Sequence, residues 1–238
     1  MPQILGQMSK EIKFSIGTQD FSASNERPKL ALAAMNIIAK WSVLEGFLSQ
    51  LFVNMLGSNP YPGAAIYQAL TSAAAQDAAF RAIAAIATKD SSQDEKDIFE
   101  AILKLVKNTR QRRNKIAHWV WGYSEDIPDG VLLCDPSKIM QFQVNLADAT
   151  RRKEMHEIGS LFREIRKEIF VYYQTDFQDI SQAIQLRINQ ADDLRKLLMV
   201  RPFPEVAAQR LQLLLDQPEV LSGVCRLRKR RKILPKEY

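Results

Sequence analysis

Two histidines and two cysteines are all that this chain of 238 residues offers for most metal and thiol chemistry. Their positions, His118, Cys134, His156 and Cys225, have no ligand-like spacing, so no metal site is expected. Two isolated thiols give no disulfide framework and suit a reducing compartment. Glycine is scarce, at nine residues, and no glycine-rich phosphate loop occurs, so no cofactor is implied. Long apolar runs are missing as well. Residues 30–38 and 63–75 are too short or too polar to span a bilayer, and Lys10, Glu11 and Lys13 interrupt the opening stretch where a signal peptide needs an apolar core. The expectation is a soluble cytoplasmic protein with no membrane partner.

Charge, by contrast, is present and uneven. The segment RLRKRRKILPKEY from Arg226 holds seven basic residues against Glu237 and accounts for the whole net charge of +6. Such a terminus is either a solvated flexible tail or a phosphate-attracting one. Arg228, Arg230 and Arg231 are its candidate RNA contacts.

The 3.6-residue period dominates the pattern. Residues 1–27 read as irregular, with Glu-Ile-Lys-Phe-Ser-Ile (11–16) as a short strand. From Pro28, the apolar face of Ile37, Trp41, Leu44, Leu48, Leu51 and Met55 predicts a first long helix. An alanine-rich second helix is expected over about 63–87. Ser92-Gln-Asp-Glu95 matches a capping box, so a third helix starts there and runs through Ile98, Ile102, Leu105 and Ile116 to His118. After it come short β-type runs at 119–123, 131–134 and 139–144, read as a hairpin or three-stranded flap. Helices resume near Asp148, with a break around Thr175-Asp176. A short helix follows Pro202 and Pro204, and then comes the basic tail. The predicted fold class is therefore all-α: a helical domain over 28–200 with a β insertion at about 119–145, preceded by the irregular segment 1–27 and followed by 201–238.

The stretch RQRRNKIAHW (110–119) closes the third helix. At about 100° per residue, Asn114 and His118 fall on one side, nearly opposite the stripe of Ile98, Ile102, Leu105 and Ile116. Arg113 lies about 60° from the apolar centre, where a guanidinium wants a carboxylate. Glu45, in line with Ile38 and Phe52 on the first helix, is the candidate partner; its other reading is a residue at the solvent edge of the stripe.

These residue types suit RNA cleavage without a metal. A base takes the 2′-hydroxyl proton, the oxygen attacks phosphorus, and an acid protonates the leaving 5′-oxygen. A histidine, with an ordinary pKa of about 6.5, serves either transfer. Arginine balances the added phosphorane charge, and asparagine orients the phosphate or the imidazole. The reaction favours two proton-transfer groups, and a symmetric partner would supply the second.

The spacing Arg113-Asn114-x-x-x-His118, with Trp41-Ser-Val-Leu-Glu45 on an early helix and a β-type excursion after the histidine, resembles the R-x4-6-H motif of the HEPN superfamily. The likeness extends over residues 28–175. It implies a helical bundle and a metal-independent endoribonuclease of a toxin–antitoxin or phage-defence system, with Arg113, Asn114 and His118 as catalytic residues at a homodimer interface and an antitoxin or defence-system protein as a further partner. Many relatives carry a small residue after the histidine, where this chain has Trp119. The alternative is a non-catalytic HEPN-like RNA-binding or dimerisation module.

Other conspicuous residues have two readings each. Lys104, Lys107, Arg110, Arg112 and Lys115 form a phosphate track, or serve the helix macrodipole. Trp119, Trp121 and Tyr123 stack on bases, or cover a core. His156, among charged neighbours, reads as an exposed helix residue.

Overall fold

The computed structural model describes residues 1–8, 12–17, 22–57 and 60–233. It is mostly helical, with one five-stranded antiparallel sheet. The chain divides into two compact units: residues 1–40 with 110–183, and residues 41–109 with 184–238. The helices α2 (Pro28–Leu56), α5 (Gln93–His118) and α8 (Gln174–Val200) contribute residues to both.

The first unit holds the whole sheet. Its strands are β1 (Gln3–Ile4), β2 (Ser15–Ile16), β3 (Val120–Tyr123), β4 (Gly130–Cys134) and β5 (Ile169–Tyr173), in the order β1-β5-β4-β3-β2. β4 is buried throughout, with Leu132 opposite Val171 on one side and Gly122 on the other. On one face of the sheet Leu5, Leu132, Cys134, Ile165, Ile169 and Val171 form a core cluster. The N-terminal segment expected to be irregular supplies both edges, β1 against β5 and β2 against β3. β2 lies at the end of the strand read over 11–16, whereas no local pattern announces β1, which its distant partner β5 creates. Gly122 is required where β2 crosses it, because a Cβ there would fall inside contact distance of the Ser15 carbonyl and 2.7 Å from the Ile16 side chain. Of the strand read at 11–16, Glu11 lies outside the described residues.

Two further expectations change in this unit. Residues 139–144, read as a strand, belong to α6 (Pro136–Arg152). The Asp135 side chain caps it, accepting from Ser137 N at 2.8 Å, and Pro136 occupies the first turn. That start signal outweighs the apparent alternation of Ile-Met-Gln-Phe-Gln-Val. Ile139 and Ala149 are the buried positions, and Phe142 meets Phe162 of α7 (Met155–Glu168) with ring centroids 5.1 Å apart. The break expected at Thr175-Asp176 falls earlier, at β5, whose Ile-Phe-Val-Tyr-Tyr run is strand-forming. Asp176 then accepts from Tyr173 N at 3.0 Å as α8 begins.

Among its described residues the second unit contains helices and no strand: the remainder of α2, α5 and α8 with α3 (Pro60–Ala69), α4 (Ala73–Ala87), α9 (Pro204–Leu215) and α10 (Pro218–Ile233). Trp41, Leu44, Leu48, Leu51 and Met55 of α2 are buried as their period predicts. Phe52, Tyr67 and Phe80 make an aromatic cluster with centroids 5.2 to 5.9 Å apart. By length and composition α2 is apolar enough to cross a bilayer. The alanine-rich stretch forms two helices rather than one. Ser72 caps α4 by accepting from Ala75 N at 3.1 Å, and Gln76 Nε2 holds the Leu70 carbonyl at 2.9 Å. Ser92 caps α5 in the same way, accepting from Glu95 N at 3.2 Å. Glu95 does not complete the reciprocal box, because its carboxylate holds Arg201.

The basic segment is not a loose tail in its described part: it is the C-terminal half of α10. Lys236 and Glu237 lie outside the described residues. Arg228 donates to Asp94 at 2.6 Å and lies 3.4 Å from Asp97, to which Arg231 also donates. Asp97 is almost fully buried and accepts from Gln93 Nε2 at 2.9 Å, whereas both arginines are nearly half exposed. Acids in the first turns of α5 also suit its macrodipole. Removing the cations strands a buried charge, whereas removing the acid returns the cations to water. The double variant Arg228→Ala/Arg231→Ala should therefore lose about 3 kcal/mol or more, and Asp97→Ala clearly less. Urea melts at neutral pH would show the order, and an equal loss in both would remove the buried carboxylate from the account.

Burial also decides thiol chemistry. The Cys134 thiol is pushed up to about 11, first by desolvation and then by Glu168 and Asp135, while Cys225 is exposed. At neutral pH an aromatic disulfide reagent should label one thiol per native chain and two after denaturation. Rapid labelling of both in the native protein would contradict the packing of β4.

Candidate functional site

The last two turns of α5 lie in the first unit, and the way they end shapes the site. A helix leaves its final carbonyls without intrahelical donors. Here Trp119 N donates to the Lys115 carbonyl at 3.0 Å and the Trp121 indole Nε1 donates to the Ile116 carbonyl at 3.0 Å. Trp121 thereby stops the helix and turns inward, with its ring centroid 6.2 Å from that of Phe177. Of the two readings of Trp121, core cover is the observed one.

His118 stands exposed on the terminal turn. One turn back, Asn114 is half-buried, and its Oδ1 accepts from Arg113 Nη1 at 3.3 Å. Arg113, also half-buried, thus turns the amide oxygen toward itself. With its oxygen engaged, Asn114 has its NH₂ group to offer a further acceptor. Beside them, Lys115 Nζ lies 4.7 Å from the centroid of the Trp119 ring and 5.1 Å from that of Phe170, and the two rings are 5.7 Å apart. An ammonium over two aromatic faces is held by cation–π attraction, on the order of 1 kcal/mol at a half-exposed site. Around the helix Asn114 and His118 are about 40° apart and Lys115 lies about 60° from His118, so the three emerge from neighbouring sides of the last turns.

An apolar cavity of about 510 Å³ adjoins this end, lined by Ala34, Met35 and Ile38 of α2 and by Ile116, Ala117 and Trp119. Sequence reasoning missed Phe170 and Met35 as neighbours of the motif. For Phe170 the signal was the run Ile169-Phe-Val-Tyr-Tyr173, which puts alternate residues on opposite faces of a strand. For Met35 no local signal exists.

The other predicted site residues separate by burial and pairing. Arg110 is only 8% exposed, so it does not present a phosphate-facing guanidinium. Arg112 is half-buried on a different side of the helix, about 120° from His118. It acts on Tyr172, whose hydroxyl is pushed up to about 12 by burial and by Asp176 and is eased down by Arg112. Arg228 and Arg231 hold Asp94 and Asp97, while Arg230 is exposed. Glu45 is exposed on α2, and its Oε1 accepts from Trp41 Nε1 at 2.7 Å. The cost of an unpaired buried carboxylate, which motivated a pairing with Arg113, does not arise. Among the described residues, no three His, Cys, Asp or Glu side chains converge as metal ligands.

Comparisons with protein-family models, with characterised proteins and with solved structures give no match to this chain. Within the chain, one exposed imidazole, one amide positioned by Arg113 and one ammonium stand on the last two turns of α5.

Proposed function

We propose that this chain is a metal-independent endoribonuclease of the HEPN type, working in the cytoplasm as part of a toxin or phage-defence system, with a composite site at a homodimer interface. The observation that carries the proposal is the exposed His118 one helical turn from Asn114, on the end of α5 where Lys115 also emerges. The assignment to a toxin or defence system, with an antitoxin or defence-system protein as partner, rests on the motif resemblance.

In the proposed reaction, one His118 imidazole accepts the 2′-hydroxyl proton. The freed oxygen forms a bond to phosphorus, and the bond from phosphorus to the 5′-oxygen breaks as the second chain's imidazolium protonates that oxygen. The products are a 2′,3′-cyclic phosphate and a 5′-hydroxyl, so atoms and charge balance without water or metal. Asn114 donates to a non-bridging oxygen, and Arg113 and Lys115 offset the negative charge that develops there.

The test is degradation of total RNA by purified protein in excess EDTA, with end-group analysis and a solution mass measurement. Cyclic phosphate ends from a dimer are the expected result; a monomer at working concentration, or metal-dependent cleavage, would sink the proposal. The second reading, an RNA-binding module without catalysis, is favoured by Lys115 lying over Trp119 and Phe170, a platform on which bases stack. Binding without cleavage would select it.

A further inference from the structure

The cations of α10 fall into two sets, and the division points to a second surface. Advancing about 100° per residue, Arg230 lies about 40° from Arg226, whereas Arg228 lies about 200° from it. One flank, with Arg228 and Arg231, is anchored on Asp94 and Asp97. The other flank places Arg226 and Arg230 on the rim of a small crevice against α5, with room for only about 10 Å³, whose opposite rim carries Lys104 and Asn108. The helices come this close because Gly223 meets Ala101: a Cβ on the glycine would stand 2.8 Å from the alanine Cβ. The acid anchors thus set the rotation of α10 about its axis and aim the remaining cations.

No carboxylate is among the lining residues, so three cations gather around the crevice, the Arg226 Nε donating only to the Ser222 carbonyl at 3.2 Å. Like charges so gathered raise the local positive potential and favour a polyanion. The crevice, at about 10 Å³, is too small to enclose a ligand, and no aromatic side chain lines it on which a base could stack, so a partner would lie across the cations on its rim. Repeating negative charge along a strand is the chemistry that fits.

We propose that Lys104, Arg226 and Arg230, on the rim of this crevice, hold the phosphodiester backbone of a single-stranded nucleic acid across the surface, without reading its sequence. The strand is taken to be the RNA substrate, which rests on the function proposed above; the rim itself is independent of His118 chemistry.

The experiment uses the full chain carrying His118→Ala, so that the probe survives, and fluorescence anisotropy with a labelled oligouridine and an oligothymidine of equal length. Lys104→Ala/Arg226→Ala/Arg230→Ala should weaken binding of the oligouridine about 10-fold or more at low salt. It should also flatten the log–log salt slope by about 2, since each contact to a single strand contributes about 0.7. A control of equal charge loss elsewhere, Lys29→Ala/Arg163→Ala/Lys167→Ala, should change neither by more than a fraction of that. Equal losses in both variants, or an unchanged slope in the rim variant with its helical circular dichroism intact, would overturn the proposal. The DNA probe identifies the source of the backbone: tighter oligothymidine binding through the same residues would overturn the RNA assignment. A chain that binds through the rim but never cleaves as wild type would refute the nuclease alone.

Discussion

His118→Ala should lower the rate of RNA cleavage in EDTA by about 10²- to 10⁴-fold, the usual contribution of a positioned proton-transfer group. The fold should survive, because the side chain is exposed and α5 is closed by Trp121 and the Trp119 amide rather than by the imidazole. A composite site makes a sharper statement. If both imidazoles of a dimer act on one phosphate, mixing wild-type chains with excess His118→Ala chains leaves almost every wild-type chain beside an inactive partner, and activity per wild-type chain should collapse. If each chain works alone, activity per wild-type chain stays constant on mixing, and the two-histidine mechanism fails. Asn114→Asp is the complementary variant. It keeps the oxygen that Arg113 holds at 3.3 Å but removes the NH₂ that the proposed mechanism directs to the phosphate and adds a negative charge. Cleavage should fall at every pH at which the carboxylate is ionised, with circular dichroism unchanged.

Trp41→Ala should be the most destabilising of the variants considered, at about 3 to 5 kcal/mol. The indole is among the largest fully buried side chains, only 2% exposed, and its Nε1 is already satisfied by Glu45 at 2.7 Å. Truncation both removes the transfer free energy of the ring and leaves a cavity too large for its neighbours to close. For a chain of this size each kcal/mol shifts Tm by about 2 to 4 °C, so a fall of about 6 to 20 °C is expected. Trp41→Phe, which keeps most of the volume and loses only the donor, should fall by much less. Similar midpoints for the two would mean that the hydrogen bond to Glu45, rather than packing, holds this part of α2.

How far such features could be anticipated depends on where their energy resides. The stripe of Ile37, Trp41, Leu44, Leu48, Leu51 and Met55 is legible because burial of a helix face repeats every 3.6 residues, and all six positions are buried. The start of α5 is legible for a similar reason: the Ser92 cap is a contact across three residues. Its length then places Asn114 and His118 on one side of the last turns. That much of the candidate site follows from helical geometry alone.

What local pattern could not supply lies in partners distant along the chain. Residues 139–144 and 169–173 both combine apolar and β-forming residues; one became helix because Asp135 and Pro136 start it, the other became strand because β1 and β4 pair with it. The chemistry of the arginines was likewise decided by tertiary structure. Arg110 is buried, Arg228 and Arg231 are spent on Asp94 and Asp97, and Arg226 and Arg230 are left on the rim of the crevice against α5. Glu45, read either as a partner for Arg113 or as a residue at the solvent edge of its stripe, is exposed and accepts from Trp41. Phe170 and Lys115, 55 positions apart, meet only because β5 is laid down in the same unit as the end of α5. By itself the sequence determined the first and third long helices, the buried face of the first, and an imidazole one turn from an amide, all set by backbone geometry over a few residues. Only the tertiary structure decided which charges are neutralised and which aromatic faces meet the motif, because ion pairing and ring contact depend on separations in space that no local period encodes.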